Sequence, residues 1–307
     1  MNKQNESAVA VLLGAGAYVL WGIMPLYWKM AGDVSSAEIL AYRIIWAFLF
    51  MIIALALMGK LTEVLQEMKK IWAHKKSLFA ISAASILITA NWFIFIFAVN
   101  SDRIIDASLG YYINPLMNVV LATVILKEQL AKLEKAAVAL AFVGVIVLTL
   151  YYGHVPWASI LLAISFCSYG FIKRSVSIRP WTGLTVETLL MTPFALLFLF
   201  LLPEAAYFSE SVPTMFVLAG TGVITAVPLL LFAVAAQKLS FTVIGFLQYI
   251  APTFMLIIGV FLYKEPFSSI QLIAFICIWI ALGLFTYSKL QTRRRLKKLA
   301  RTTQQPA

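Results

Sequence analysis

Asn114, Pro115 and Asn118 sit inside ASLGYYINPLMNVVLATVIL, residues 107–126, a stretch otherwise apolar enough to cross a bilayer. A helix that served only as an anchor would have no use for them. Asn114 and Asn118 are four residues apart and share one helix face, with Tyr111 roughly in line and Tyr112 beside it. Amides and phenols in this pattern do non-covalent chemistry: they hydrogen-bond and stack, as needed to hold an uncharged or zwitterionic organic molecule. Further apolar stretches add Tyr18, Trp21, Asn91, Trp92, Tyr169, Gln248 and Tyr249 to the set. Polar groups at membrane depth are costly, so each either bridges helices or faces a wet space. As a group they point to a cavity.

A shift of 137 positions lays the same segment on GFLQYIAPTFMLIIGVFLYKE, residues 245–265. Without gaps, Tyr112 meets Tyr249, Pro115 meets Pro252, Lys127 meets Lys264 and Glu128 meets Glu265. Proline removes one helix hydrogen bond and presses on the carbonyl four residues back, here that of Tyr111 or Gln248. A carbonyl freed in hydrocarbon needs a partner or a watery space. Pro115 and Pro252 are therefore expected as paired hinges at matching depth, flanking a polar path.

These residues need helices to carry them. The chain of 307 residues is 62% hydrophobic and 12% charged, where a soluble domain is nearer half apolar and a quarter charged. Ten membrane spans are predicted: 8–28, 37–58, 77–99, 104–126, 135–152, 155–173, 183–202, 214–236, 241–263 and 268–288. The first is read as a retained helix rather than a cleaved leader, and the loop 59–76 as a polar surface helix. The repeat divides the chain into units 1–152 and 153–290, with a basic tail at 291–307. Five spans per unit is an odd number, so the second unit enters the membrane upside down relative to the first, an arrangement used by secondary transporters. The predicted fold is thus an all-α integral membrane protein of two inverted five-helix repeats. Spans one, three, four, six, eight and nine are expected to surround the path.

The net charge of +11 is distributed unevenly. Assigning alternate loops to opposite faces puts twenty Lys and Arg residues on one face, against Lys29, Arg103 and Lys264 on the other. The positive-inside rule then places both termini in the cytoplasm. The basic tail is expected to touch anionic lipid headgroups rather than nucleic acid. Trp28 and Trp157 on one face, with Trp72 and Trp181 on the other, fit an aromatic belt. Lys29, Glu38, Arg43 and Asp106 are candidates for a gate or a coupling site, with Glu38 as partner to Lys29 or Arg43. Glu187 is placed at the start of the seventh span. Lys127-Glu128 and Lys264-Glu265 read as interfacial helix stops.

Catalytic signatures are missing. His74 and His154 both fall in loops, and Cys167 and Cys277 lie in separate spans as packing residues. There is no H-E-x-x-H, phosphate-binding loop or G-x-S-x-G motif. No metal, no cofactor and no enzymatic activity are expected; the alternative reading is an integral-membrane enzyme acting on a lipid or prenyl carrier. AYRIIWAF at 41–48, NWFIFIFAVNSDRIIDASLGYYINPLMNVVL at 91–121 and the two KE-terminated helices resemble the RarD-type permeases of the EamA family, in the drug/metabolite transporter superfamily. The resemblance covers most of residues 8–288. It implies ten helices in two inverted repeats, a bacterial inner-membrane location, and non-ATP transport of small organic molecules or drugs.

Overall fold

The computed structural model describes residues 3–127, 129–173, 176, 178–202, 211–239 and 241–303. Among them every regular element is helical. In chain order these are α1 (Lys3–Lys29), α2 (Ser36–Leu57), α3 (Leu61–Ala73), α4 (Lys75–Asn100), α5 (Ile104–Leu126), α6 (Lys132–Tyr152), α7 (Trp157–Lys173), α8 (Pro180–Leu201), α9 (Val212–Lys238), α10 (Phe241–Leu247), α11 (Ile250–Ile257), a π-helical turn Ile258–Leu262, and α12 (Ser269–Thr303). Nine helical stretches among the described residues are long and apolar enough to cross a membrane. The chain is an all-α membrane protein.

Helix boundaries follow local chemistry. Ser35 and Glu38 form a capping box at the start of α2, each side chain accepting the other's backbone N–H at 3.3 Å; such a cap is worth about 1 kcal/mol. Ser268 and Gln271 do the same for α12. Pro180 opens α8, where a missing N–H costs nothing. Gly153, at φ +69°, ends α6. Lys127 and Lys264, the repeat-related pair, both take left-handed backbone angles, φ +54° and +51°. Two bulky residues in this uncommon region at matched positions mark the same sharp stop in each half.

The loop helix is present as α3, lying on α4 and α8 through buried Val64 and Ile71. Three features differ from the sequence reading. The segment 241–263 is not one helix: it breaks at Gln248–Tyr249 and ends in the π-helical turn. Its counterpart α5 runs unbroken through Pro115, so the two prolines sit in unequal surroundings. And α8 starts at Pro180 rather than 183, which sets Glu187 two turns inside.

Packing is mostly between the first six helices and the last six. α1 lies against α9 and α11, α2 against α8 and α9, α4 against α7 and α8, α5 against α7 and α11, and α6 against α12. Small residues permit the closest crossings, as membrane helices require. A Cβ on Gly110 would come 2.8 Å from the Ser159 carbonyl oxygen of α7. One on Gly22 would come 2.7 Å from Phe254 Cβ of α11.

Candidate functional site

α5 and the broken α10–α11 segment meet directly. Ser108 Oγ donates to the Pro252 carbonyl at 2.8 Å, and the Tyr112 hydroxyl lies 2.6 Å from Thr253 Oγ1. Tyr112 also stacks on Tyr249 with ring centroids 6.4 Å apart. These two tyrosines line an open cavity of about 420 Å³ together with Phe246, Thr253, Trp279 and Thr286. The break in the second half is held by Thr253, whose hydroxyl donates to the Tyr249 carbonyl at 2.7 Å. Gln248 is half-buried at the break itself.

Tyr111, one residue earlier, points into a different group. Its ring packs edge-on against Phe95 and Phe166, and Phe166 continues to Tyr169. Beyond it Arg43 lies with its guanidinium carbon 4.2 Å from the Trp92 ring and 5.0 Å from the Trp28 ring. Arg43 Nε donates to Thr225 Oγ1 at 3.0 Å. At the other end Tyr169 donates to the Glu187 carboxylate, and Lys173 Nζ reaches Glu187 Oε1 at 2.6 Å and the Tyr169 hydroxyl at 2.5 Å. A third aromatic group, Tyr18, Trp21 and Phe232, joins α1 to α9 with centroids 5.2–5.8 Å apart.

The asparagines separate. Asn91 spends its amide on α7, donating to the Leu162 carbonyl and Ser165 Oγ at 3.0 Å each; its geometry is that of an interhelical tie. Asn114 is buried with its Oδ1 unpartnered among the described residues, while its backbone carbonyl accepts from Cys167 Sγ at 3.2 Å. Asn118, one turn further along α5 from Asn114, is exposed.

Two of the charged candidates, Lys29 and Asp106, lie where α1 ends and α5 begins. Lys29 pairs with Asp102 at 2.5 Å, and Arg103 with Asp106 at 2.7 Å. Lys29 thus pairs with Asp102 and Arg43 donates to Thr225, while Glu38 caps α2. Glu265 is the residue the sequence misread: it is no simple helix stop. Its carboxylate accepts the Ile104 and Ile105 N–H groups at 2.7 and 2.9 Å, capping α5 from the far half of the chain. Burial pushes its carboxyl above the ordinary range, with the two N–H donors pulling the other way and Asp106 and Asp102 adding to the rise. Its repeat mate Glu128 lies outside the described residues. Trp28 was likewise placed in an aromatic belt but is fully buried.

Comparison with known proteins fits this architecture. The EamA-like transporter family model matches residues 8–150 and again 155–287. "Uncharacterized transporter YojE" of Bacillus subtilis is 44% identical over 296 residues, spanning 95% of this chain and 98% of that one. "Protein RarD" of Escherichia coli is 35% identical, spanning 95% and 99%. A more distant relative, "Chloramphenicol-sensitive protein RarD" of Pseudomonas aeruginosa, is 26% identical across 96% and 98%. A solved crystal structure of 17% identity superposes with a TM-score of 0.60 over 90% of this chain and 96% of its own, and shows the fold alone. The chain belongs to the EamA-like transporter family, as a RarD-type permease of the drug/metabolite transporter superfamily. It is a multi-pass membrane transporter.

Proposed function

We propose that this protein moves small organic molecules across the bacterial inner membrane by alternating access, without ATP, as ten helices in two inverted repeats, 1–152 and 153–290. Both termini face the cytoplasm, and the tail 291–307 rests on anionic headgroups. α7 is the tenth span: its 17 residues reach about 25 Å, at the short end of what crosses hydrocarbon. The double match to one family model supports the repeat. So does the pairing of helices, because exchanging the halves maps each pair onto another or onto itself: α1 with α9 becomes α7 with α4, α5 with α7 becomes α11 with α1, and α2 with α8 is unchanged.

The observation that carries the reading is the crossing of α5 with the broken α10–α11 through Ser108–Pro252 and Tyr112–Thr253. An interrupted helix pinned to its repeat mate is the element that can tilt one half against the other around a fixed site. The pathway takes Tyr18, Trp21, Trp92, Tyr111, Asn114, Tyr169 and Gln248 as lining residues, with Tyr112 and Tyr249 beside the hinge and Asn91 tying the wall together. Lys29, Asp106 and Glu265 close one end.

The test starts with a thermal-shift screen of purified protein against metabolites and drugs, chloramphenicol among them, since a ligand stabilises the state it binds. Hits go to liposome flux. A Lys29→Cys, Asp102→Cys variant joined by a bifunctional methanethiosulfonate should then lose flux and regain it on reduction. Flux indifferent to that link would remove alternating access at this end.

A further inference from the structure

Arg43 lies eight residues into α2 and is 4% exposed. Among the described residues no carboxylate lies within salt-bridge distance of its guanidinium. Thr225 Oγ1 accepts from Nε while donating its own proton to the Thr221 carbonyl at 2.7 Å. Nη1 is buried and has no acceptor, and neither does Nε1 of Trp28, the fully buried ring packed against the guanidinium. The Tyr111 side chain lies within electrostatic reach.

Arginine keeps its proton in proteins. The faces of Trp28 and Trp92 offset part of the charge, but a buried cation without a counter-ion is expensive, and each donor left without an acceptor adds to the cost. The two orphan donors belong to neighbouring side chains of α1 and α2. What would satisfy both is an acceptor with more than one oxygen and a negative charge. A guanidinium fork fits a carboxylate in that way, and the flanking indoles suit an aromatic or apolar body attached to it.

We propose that Arg43 and Trp28 Nε1 form the subsite for the carboxylate of the transported solute. The inference rests on the transporter reading and narrows it: the solute is an organic acid or a zwitterion, not a neutral molecule. In the ligand-free protein the subsite is an uncompensated charge, and the arriving carboxylate supplies the missing counter-ion.

The experiment measures binding, not flux, so it separates this proposal from the transport mechanism. Full-length protein in phosphatidylcholine nanodiscs is titrated with benzoate, benzamide and chloride, following the melting temperature. Benzoate should raise it; benzamide and chloride at equal concentration should not. Arg43→Met and Arg43→Gln should remove the benzoate shift while leaving the ligand-free melting temperature at or above wild type, because each discards an unpaired charge. Trp28→Phe, which keeps an aromatic ring but not the donor, should weaken benzoate binding by roughly 10- to 150-fold, the cost of one charge-assisted hydrogen bond. A benzoate shift that survives Arg43→Met, or an equal shift with benzamide, overturns the proposal. So does an equal shift with chloride, which would make this an inorganic-anion site. A large drop in ligand-free melting temperature for both Arg43 variants would mark the arginine as structural and also overturn it.

Discussion

Glu265, between the π-helical turn and α12, ties that stretch to the start of α5 through backbone hydrogen bonds. Its carboxylate sits on the first two N–H groups of α5, where the helix dipole favours negative charge. Removing it leaves two buried donors bare, so Glu265→Ala should cost about 1–3 kcal/mol, read as a fall in melting temperature. Glu265→Gln should cost less. The pH dependence has a definite sign. The unfolded carboxyl titrates near 4.5 and the folded one higher, so the folded protein holds that proton more tightly. The stability this confers is complete below pH 4.5 and is lost as pH climbs through the raised value. A series of melting temperatures from acid to neutral pH should fall more steeply for wild type than for Glu265→Gln; parallel curves would exclude the linkage. The sequence displayed the recurrence of Lys-Glu but not its use. The partners of Glu265 are backbone groups 160 and 161 positions away, and a backbone N–H carries no residue identity to read. Trp28 escaped for a related reason: near a span end an aromatic fits the membrane interface equally well, and only the fold brings Arg43 beneath it.

Among the elements, the helices were legible and their interruptions were not. Long apolar runs locate spans because no other segment can cross hydrocarbon, and the predicted starts at 37 and 268 fall within a residue of Ser36 and Ser269. Pro115 and Pro252 look alike in sequence, yet α5 stays whole and its counterpart breaks at Gln248–Tyr249. What sets the two apart is their surroundings: Gly110 holds α5 flush on α7, whereas the second proline is followed within two turns by a π-helical turn whose Gly259 carbonyl takes the Glu265 N–H at 2.9 Å. Straightness should therefore depend on the α5–α7 contact. Gly110→Val would drive side-chain carbon into the Ser159 carbonyl and Leu162, an overpacking cost of about 1–3 kcal/mol. The expected result is a lower melting temperature with flux reduced further than stability alone would explain; unaltered values for both would mean α5 has room to move aside.

For the whole molecule, the sequence displayed two similar stretches but not how the helices that carry them engage. Periodicity in one chain cannot say whether two similar units sit side by side or interleave. Here α1, α2, α4, α5 and α6 take their main neighbours from α7–α12. Each of the buried apolar clusters draws on both sets of helices. Two fragments, 1–154 and 155–307, made together should assemble and restore flux, while either alone should be degraded or aggregate. A stable, monodisperse first fragment would contradict this, and size-exclusion chromatography of the separate and co-expressed pieces decides it.

Interleaving also sets a schedule for biosynthesis. The ribosome delivers α4 well before α7, so for the time it takes to add the intervening residues the Asn91 amide is in the bilayer without the Leu162 carbonyl and Ser165 hydroxyl that will later receive it. The same wait applies to Arg43 before Thr225 emerges. The nascent first half is a membrane intermediate with its polar surface bare, and its survival depends on how quickly translation completes the other half.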